Sequence, residues 1–264
     1  MSDTVMAALA PAAARAVPLA ATAASPLIRM EGVTKTYDAG ELAVTAHAGI
    51  DLAIEKGQMV AIIGPSGSGK SMLMHILGCL DAPSSGSYRL DGRDVAMLSG
   101  FQLAAIRNQK IGFVFQTFNL LPKASLLRNV ELPLLYANVP AAVRKERAMA
   151  ALGRVGLADR TANRPGELSG GQQQRAAVAR AIVGDPAMIL ADEPTGNLDS
   201  VSTADVLALF DELHGQGRTV VLITHELEVA EHARRIVRVR DGRIWSDEVN
   251  AHPRSARFGE GGAL

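Results

Sequence analysis

The stretch at 64–71, GPSGSGKS, has the form G-x-x-x-x-G-K-S, a spacing that lets a loop cradle phosphate groups. Gly64, Gly67 and Gly69 allow the backbone to turn its amides toward phosphate oxygens, with Pro65, Ser66 and Ser68 between them. The Lys70 ammonium can then reach the β- and γ-phosphates of a nucleotide, and the Ser71 hydroxyl can bind magnesium. A helix opening after the loop adds the attraction of its dipole for an anion.

A second stretch, AMILADEPTGNLD, delivers acids. Asp192 ends a buried-type apolar run, at the strand end where an acid can hold magnesium directly or through water. Glu193 follows immediately. Adjacent carboxylates are costly unless a cation or a proton transfer employs them, so Glu193 reads as the general base for an attacking water, a role that contributes about 10²–10⁴-fold. His225 ends another such run, TVVLITH, and can hold that water or donate to the γ-phosphate. Gln116 follows IGFVF; its neutral amide can touch magnesium or the water. The expected catalytic set is Glu193, His225, Gln116 and Lys70, with Ser71, Gln116 and Asp192 around magnesium.

A third stretch, LSGGQQQR at 168–175, looks like another anion-binding helix N-terminus, built on Ser169, Gly170, Gly171 and Gln172. One chain of this size would thus carry two anion sites about a hundred residues apart.

The elements that must position these groups alternate. LIRMEGVTKTY and GIDLAI read as strands, and QMVAIIG as a buried strand feeding the cradle. KSMLMHILGCL follows as a helix, GSYRLDG and IGFVF as strands, and GQQQRAAVARAIV as a helix stopped by Gly184 and Pro186. AMILAD and TVVLITH flank the helical STADVLALFDELHGQG, and IVRVRDGRIW reads as a closing hairpin with Asp-Gly at its turn. Such alternation predicts an α/β fold, a mostly parallel sheet covered on both faces. Residues 124–166 are Leu- and Ala-rich at helical spacing, which points to a helical insertion over about 97–170. The Ala/Pro-rich residues 1–26 and the segment 251–264 are expected to be loose tails around a 27–250 domain.

Bulk properties fit this. Lys plus Arg and Asp plus Glu each number 27 in 264 residues, and nothing suggests a basic protein steered to nucleic acid. Apolar residues make up 48%, enough for a real core, yet nowhere do 18 or so run uninterrupted as a membrane span needs. The single Cys79 excludes an intramolecular disulfide and fits a reducing compartment.

Together, GPSGSGKS, Gln116, LSGGQQQR, LADEP, Asp199 and His225, in that order, resemble the ATP-binding cassette (ABC) ATPases over about residues 27–248. HILGCLD, IGFVFQTFNLLP, NVELPL and ADEPTGNLDS look most like the ATPases serving lipoprotein-release, macrolide-export and cell-division permeases. Met72 departs from the Thr of many relatives, with little consequence expected for magnesium. The resemblance implies a P-loop NTPase (RecA-like) core, an N-terminal antiparallel β subdomain and an inserted helical subdomain. It implies ATP hydrolysis with magnesium, coupled to an integral membrane permease at the cytoplasmic face of the inner membrane.

It also explains the two anion sites. In the family, two chains pair head to tail, and each LSGGQ closes over the other chain's ATP. Ser169, Gly170, Gly171 and Gln172 would then contact ATP in trans, with Asp199 at the seam unless it serves, with Ser200, as a helix N-cap. Tyr37 would stack on adenine. The cluster Phe118, Leu120 and Leu121 is either core of the insertion or the lining of a groove for a permease helix. The alternative function is a soluble, non-transport ABC ATPase; the absence of a heptad run, a Cys cluster and a second cassette weighs against it.

Overall fold

The computed structural model describes residues 25–39 and 42–256, the side chains of 37–39 and 42–48 excepted. Residues 1–24 and 257–264, and with them most of both expected tails, lie outside the described residues, as does the side chain of Tyr37.

Along the chain run β1 (Ile28–Ala39), β2 (Leu42–Ile54), β3 (Met59–Ile63), α1 (Lys70–Leu77), β4 (Ser85–Leu90) and β5 (Arg93–Asp94). Then come α2 (Gly100–Lys110), β6 (Ile111–Phe115), α3 (Leu126–Tyr136), α4 (Ala141–Arg154), α5 (Gly170–Ile182) and β7 (Met188–Asp192). The chain continues with α6 (Ser200–Gly215), β8 (Thr219–Thr224), α7 (Leu227–Ala230), β9 (Arg235–Arg240) and β10 (Arg243–Val249). Two sheets result: a four-stranded one in the order β2-β1-β4-β5, and a six-stranded one in the order β10-β9-β3-β8-β7-β6. In the larger sheet β9, β3, β8, β7 and β6 are parallel, and β10 closes the edge antiparallel.

The central strands are buried along their whole length, MVAII in β3 and TVVLIT in β8, as a sheet covered on both faces requires. The period of two divides their side chains. Val60, Ile62, Leu190, Val221 and Ile223 pack with Leu73, Met74 and Leu77 of α1. Ala61, Ile63, Ile189, Ala191 and Leu222 pack with Ala176 and Val178 of α5 and Phe210 of α6. The expected alternation of strands and helices is therefore present, as is the N-terminal antiparallel sheet.

Two boundaries differ from expectation. The stretch 97–170 is not one helical insertion, because β6 inside it pairs in parallel with β7 from Ile111↔Met188 to Phe115↔Asp192. Ile111 and Val114 are buried in that pairing, and α2 packs on β6, so the all-helical part begins only after Gln116. The expected loose segment from 251 is also held through Ala256. The Arg254 N–H donates to the Glu231 carbonyl at 2.8 Å, its guanidinium pairs with the Glu231 carboxylate at 2.7 Å, and the Ala256 N–H donates to Asp211 at 2.8 Å.

The loop between β6 and α3 is folded around one side chain. Asn129 is fully buried. Its Oδ1 accepts from the Leu121 N–H at 2.6 Å, and its Nδ2 donates to the carbonyls of Leu121, Ala124 and Ser125 at 3.2, 3.3 and 3.0 Å. Asn129→Ala takes the acceptor from the Leu121 N–H and removes three bonds to the carbonyls of the loop. It should lower the unfolding free energy by about 2–4 kcal/mol, read as a lower denaturant midpoint.

Candidate active site

The parallel register brings the expected residues to one edge. Ile63 is level with Thr224 of β8 and Arg238 of β9, Ile223 with Asp192 of β7, and Asp192 with Phe115 of β6. β3, β8, β7 and β6 therefore end within a residue of one another. Gly64, His225, Glu193 and Gln116 are the first residues past the ends of β3, β8, β7 and β6. This is the carboxyl edge, where open α/β sheets bind ligands.

A cavity of about 1090 Å³ opens there. Its lining includes Gly64–Gly67, Gly69–Ser71, Asp192, Glu193 and His225. Gly67 and Gly69 take left-handed backbone angles, φ 78° and 100°, which bend the loop over the start of α1. Gly64 is needed for space: a Cβ there would lie 2.1 Å from the Val239 carbonyl oxygen. Lys70 is buried, its ammonium donating to the carbonyls of Gly64 at 2.7 Å and Pro65 at 2.9 Å. Burial pushes its pKa down, and the Glu193 and Asp192 carboxylates oppose that. Ser68 is buried, and its hydroxyl has no hydrogen-bond partner among the described residues.

Asp192 is half-buried, and its pKa is raised by burial first and by the neighbouring Glu193 second. Glu193 sits at φ 44°, a left-handed backbone rare for a side chain of its size and of the kind that collects at functional sites. Its N–H is fixed on the Ile223 carbonyl at 2.8 Å. The His225 Nδ1 contacts Glu193 Oε1 at 2.9 Å, which leaves Oε2 for another partner. The donors around the cavity suit a magnesium ion carried with phosphates. They are hard oxygens, the Ser71 hydroxyl and the Asp192 carboxylate, in a half-buried place where two acids adjoin and a cation relieves them.

Gln116 is at the same edge but does not line the cavity. Its carbonyl accepts from Asn197 Nδ2 at 3.1 Å, and its amide crowds Gly196, where a Cβ would come within 2.7 Å of Nε2. Ser169–Gln172 do not line it either. Ser169 caps α5 in a reciprocal box, the Gln172 N–H donating to its hydroxyl at 3.3 Å and the Ser169 N–H to Gln172 Oε1 at 3.1 Å. Asp199 is the N-cap of α6, through Ser202 rather than Ser200: the Ser202 N–H donates to Oδ1 at 2.8 Å. That bond lowers the Asp199 pKa. Gly171 faces the same Ser202, whose Oγ lies 2.3 Å from where a Gly171 Cβ would stand.

A family model described as ABC transporter matches residues 47–196, from before the cradle to past Glu193. The chain belongs to the ABC transporter family. Macrolide export ATP-binding/permease protein MacB 1/2 of Paracoccus denitrificans is 53% identical over 229 residues, 87% of this chain and 34% of that protein. Pyoverdine export ATP-binding/permease protein PvdT of Pseudomonas aeruginosa is 54% identical over 238 residues, 88% of this chain and 36% of that protein. The chain therefore spans about a third of the length of these export relatives. An ABC transporter ATP-binding protein of Thermotoga maritima, 53% identical over 218 residues, is matched over 93% of its length and 83% of this chain. Among solved structures, the ATP-binding cassette MJ0796, a dimer in a post-hydrolysis state bound to ADP and Pi, has a TM-score of 0.78 at 42% identity. That match covers 84% of this chain and 98% of the other. The fold is thus that of an ABC cassette, a P-loop core with its antiparallel sheet.

Sequence reading missed Arg238, Arg240 and Trp245, which also line the cavity. The signal was present in IVRVRDGRIW, where arginines alternate with buried valines toward the hairpin turn. For the cluster Phe118, Leu120 and Leu121, core of the insertion and groove lining were both open. Leu120 packs against the core and only Leu121 of the expected cluster is well exposed. A groove of about 850 Å³ lies between α2, α3 and α5, lined by Leu80, Phe101, Phe113, Phe115 and Tyr136 among others.

Gly64→Ala should weaken ATP binding about tenfold or more, because the Val239 carbonyl it would strike is backbone and cannot swing aside. Gly100→Ala, in open space, should have no effect. Calorimetric titration of both variants checks this.

Proposed function

We propose that this chain binds ATP and hydrolyses it to ADP and phosphate as the energising cassette of a membrane exporter. The observation that carries the reading is the Glu193–His225 contact at 2.9 Å, on the wall of the cavity that Lys70 floors. The cradle amides and Lys70 bind the phosphates, the ammonium exchanging its carbonyl partners for phosphate oxygens. Ser71, Asp192 and Gln116 would hold magnesium, which when bound would supply neutralisation of phosphate charge. Glu193 takes the proton of the attacking water at Oε2, while His225 fixes the carboxylate through Oε1. Tyr37 stacks on adenine.

Two copies pair head to tail, so that Ser169, Gly170, Gly171 and Gln172 of one close on the ATP of the other, with Asp199 beside them. Exposure of Ser169 and Asp199 outside their own chain's cavity supports this, since a charged hydrogen bond at such a capped helix start contributes about 1.5–3 kcal/mol. A membrane permease docks in the groove by Phe101 and Tyr136, which are 85% and 74% exposed. Among the described residues no helix is long and apolar enough to cross a membrane, and the permease supplies that part. The cassette works at the cytoplasmic face of the inner membrane.

Glu193→Gln keeps the cradle and the metal ligands. It should bind ATP normally and slow turnover by about 10²–10⁴-fold. Steady-state hydrolysis equal to that of the unaltered chain would remove Glu193 as the base.

A further inference from the structure

The β9–β10 hairpin is fastened to the phosphate cradle. Register sets Arg238 beside Ile63, Gly64 abuts the Val239 carbonyl, and the Gly242 N–H at the hairpin turn donates to the Ser68 carbonyl at 3.0 Å. A ligand in the cradle therefore meets the hairpin at a fixed spacing. Sheet order also gives the cavity two distinct sides. Asp192, Glu193 and His225 project from β7 and β8 on one side of β3, and the hairpin stands on the other. With the terminal phosphate directed at Glu193, the rest of the nucleotide leaves the cradle along β9 and β10.

That wall carries chemistry the core does not use. Trp245 occupies a register shift between Ile244 and Ser246 and is 63% exposed, while Ile244 does the packing against the core. The Arg240 guanidinium carbon lies 5.5 Å from the centroid of the Trp245 ring. The Arg240 ion pair with its neighbour Asp241, at 3.5 Å between two exposed side chains, contributes little. Among the described residues lining the cavity, Trp245 is the one Phe, Tyr or Trp. A π face backed by a guanidinium is a surface that stacks on a nucleobase.

We propose that Trp245, backed by Arg240, contacts the nucleoside end of the bound nucleotide and adds to its affinity without taking part in the chemistry. This rests on the ATP reading above and goes beyond it in assigning the hairpin a share of the site.

Trp245 is the only tryptophan of the chain, so its emission reports on this wall alone. The unaltered protein is titrated with ADP and with tripolyphosphate, following both heat and tryptophan emission. ADP should change the emission with the affinity seen calorimetrically, and tripolyphosphate should bind without changing it. Trp245→Ala should weaken ADP and ATP about tenfold, leave tripolyphosphate binding and kcat within about twofold, and be largely rescued by Trp245→Phe. If ADP binds with unchanged emission and Trp245→Ala binds it like the parent, the hairpin is not part of the site and the ATP reading stands. If tripolyphosphate changes the emission as ADP does, the contact is with phosphate and the nucleoside assignment falls. If neither ligand produces heat, the ATP reading falls and this one with it.

Discussion

In a parallel sheet, register decides which residues can share a site. Here β3, β8, β7 and β6 end within one residue of each other, and the first residue past each end is Gly64, His225, Glu193 or Gln116. A shift of one residue in any strand would turn its terminal side chain to the opposite face. The buried strands hold that register, since each has one set of side chains for the α1 face and another for the α5–α6 face. Core packing and the placing of catalytic groups are therefore one requirement. The left-handed backbone at Glu193 is the local strain that aims its carboxylate, held by the bond to the Ile223 carbonyl.

Helix α5 links the Ser169–Gln172 corner to this edge. Its N-terminus presents Ser169 and packs Gly171 against Ser202, itself held by Asp199. In its middle, Gln174 donates to the Pro194 carbonyl at 2.6 Å, next to Glu193. Toward its C-terminus, Arg180 donates to the carbonyls of Phe118 and Asn119, at 2.8 Å for Phe118, where the chain takes two successive left-handed residues. One rigid element thus touches the exposed Ser169–Gly171 corner, the strand end with the acids, and the loop that follows Gln116. The side chains of Gln174 and Arg180 tie α5 to the backbone at the second and third of these places.

Much of this was legible in the chain because it is local. GPSGSGKS has the form of a phosphate-binding loop, and MVAII, MILAD and TVVLIT read as buried strands from their short length and apolar content. Less legible was what depends on partners distant in sequence. IGFVF read as a strand, but only its pairing with β7 moves it from the insertion into the core. The hold on Arg254 and Ala256 comes from Glu231 and Asp211, which nothing in the C-terminal segment announces. The cavity role of Trp245 follows from the β9–β3 register, and the helical spacing of 124–136 gives no hint that Asn129 organises the preceding loop. Gln116, well placed in sequence, stands outside the cavity, its carbonyl held by Asn197 Nδ2.

The central claim is that a cradle in one copy and an Ser169–Gln172 helix start in another make a single site. Lys70→Ala disables the cradle and Ser169→Arg the helix start, so each variant alone should be inactive. Mixing the two chains creates pairs in which the intact cradle of one faces the intact helix start of the other. The account predicts that ATP hydrolysis reappears on mixing, well above either variant by itself. A mixture as inactive as its components, with both variants folded and the Ser169→Arg chain still binding ATP, would contradict it.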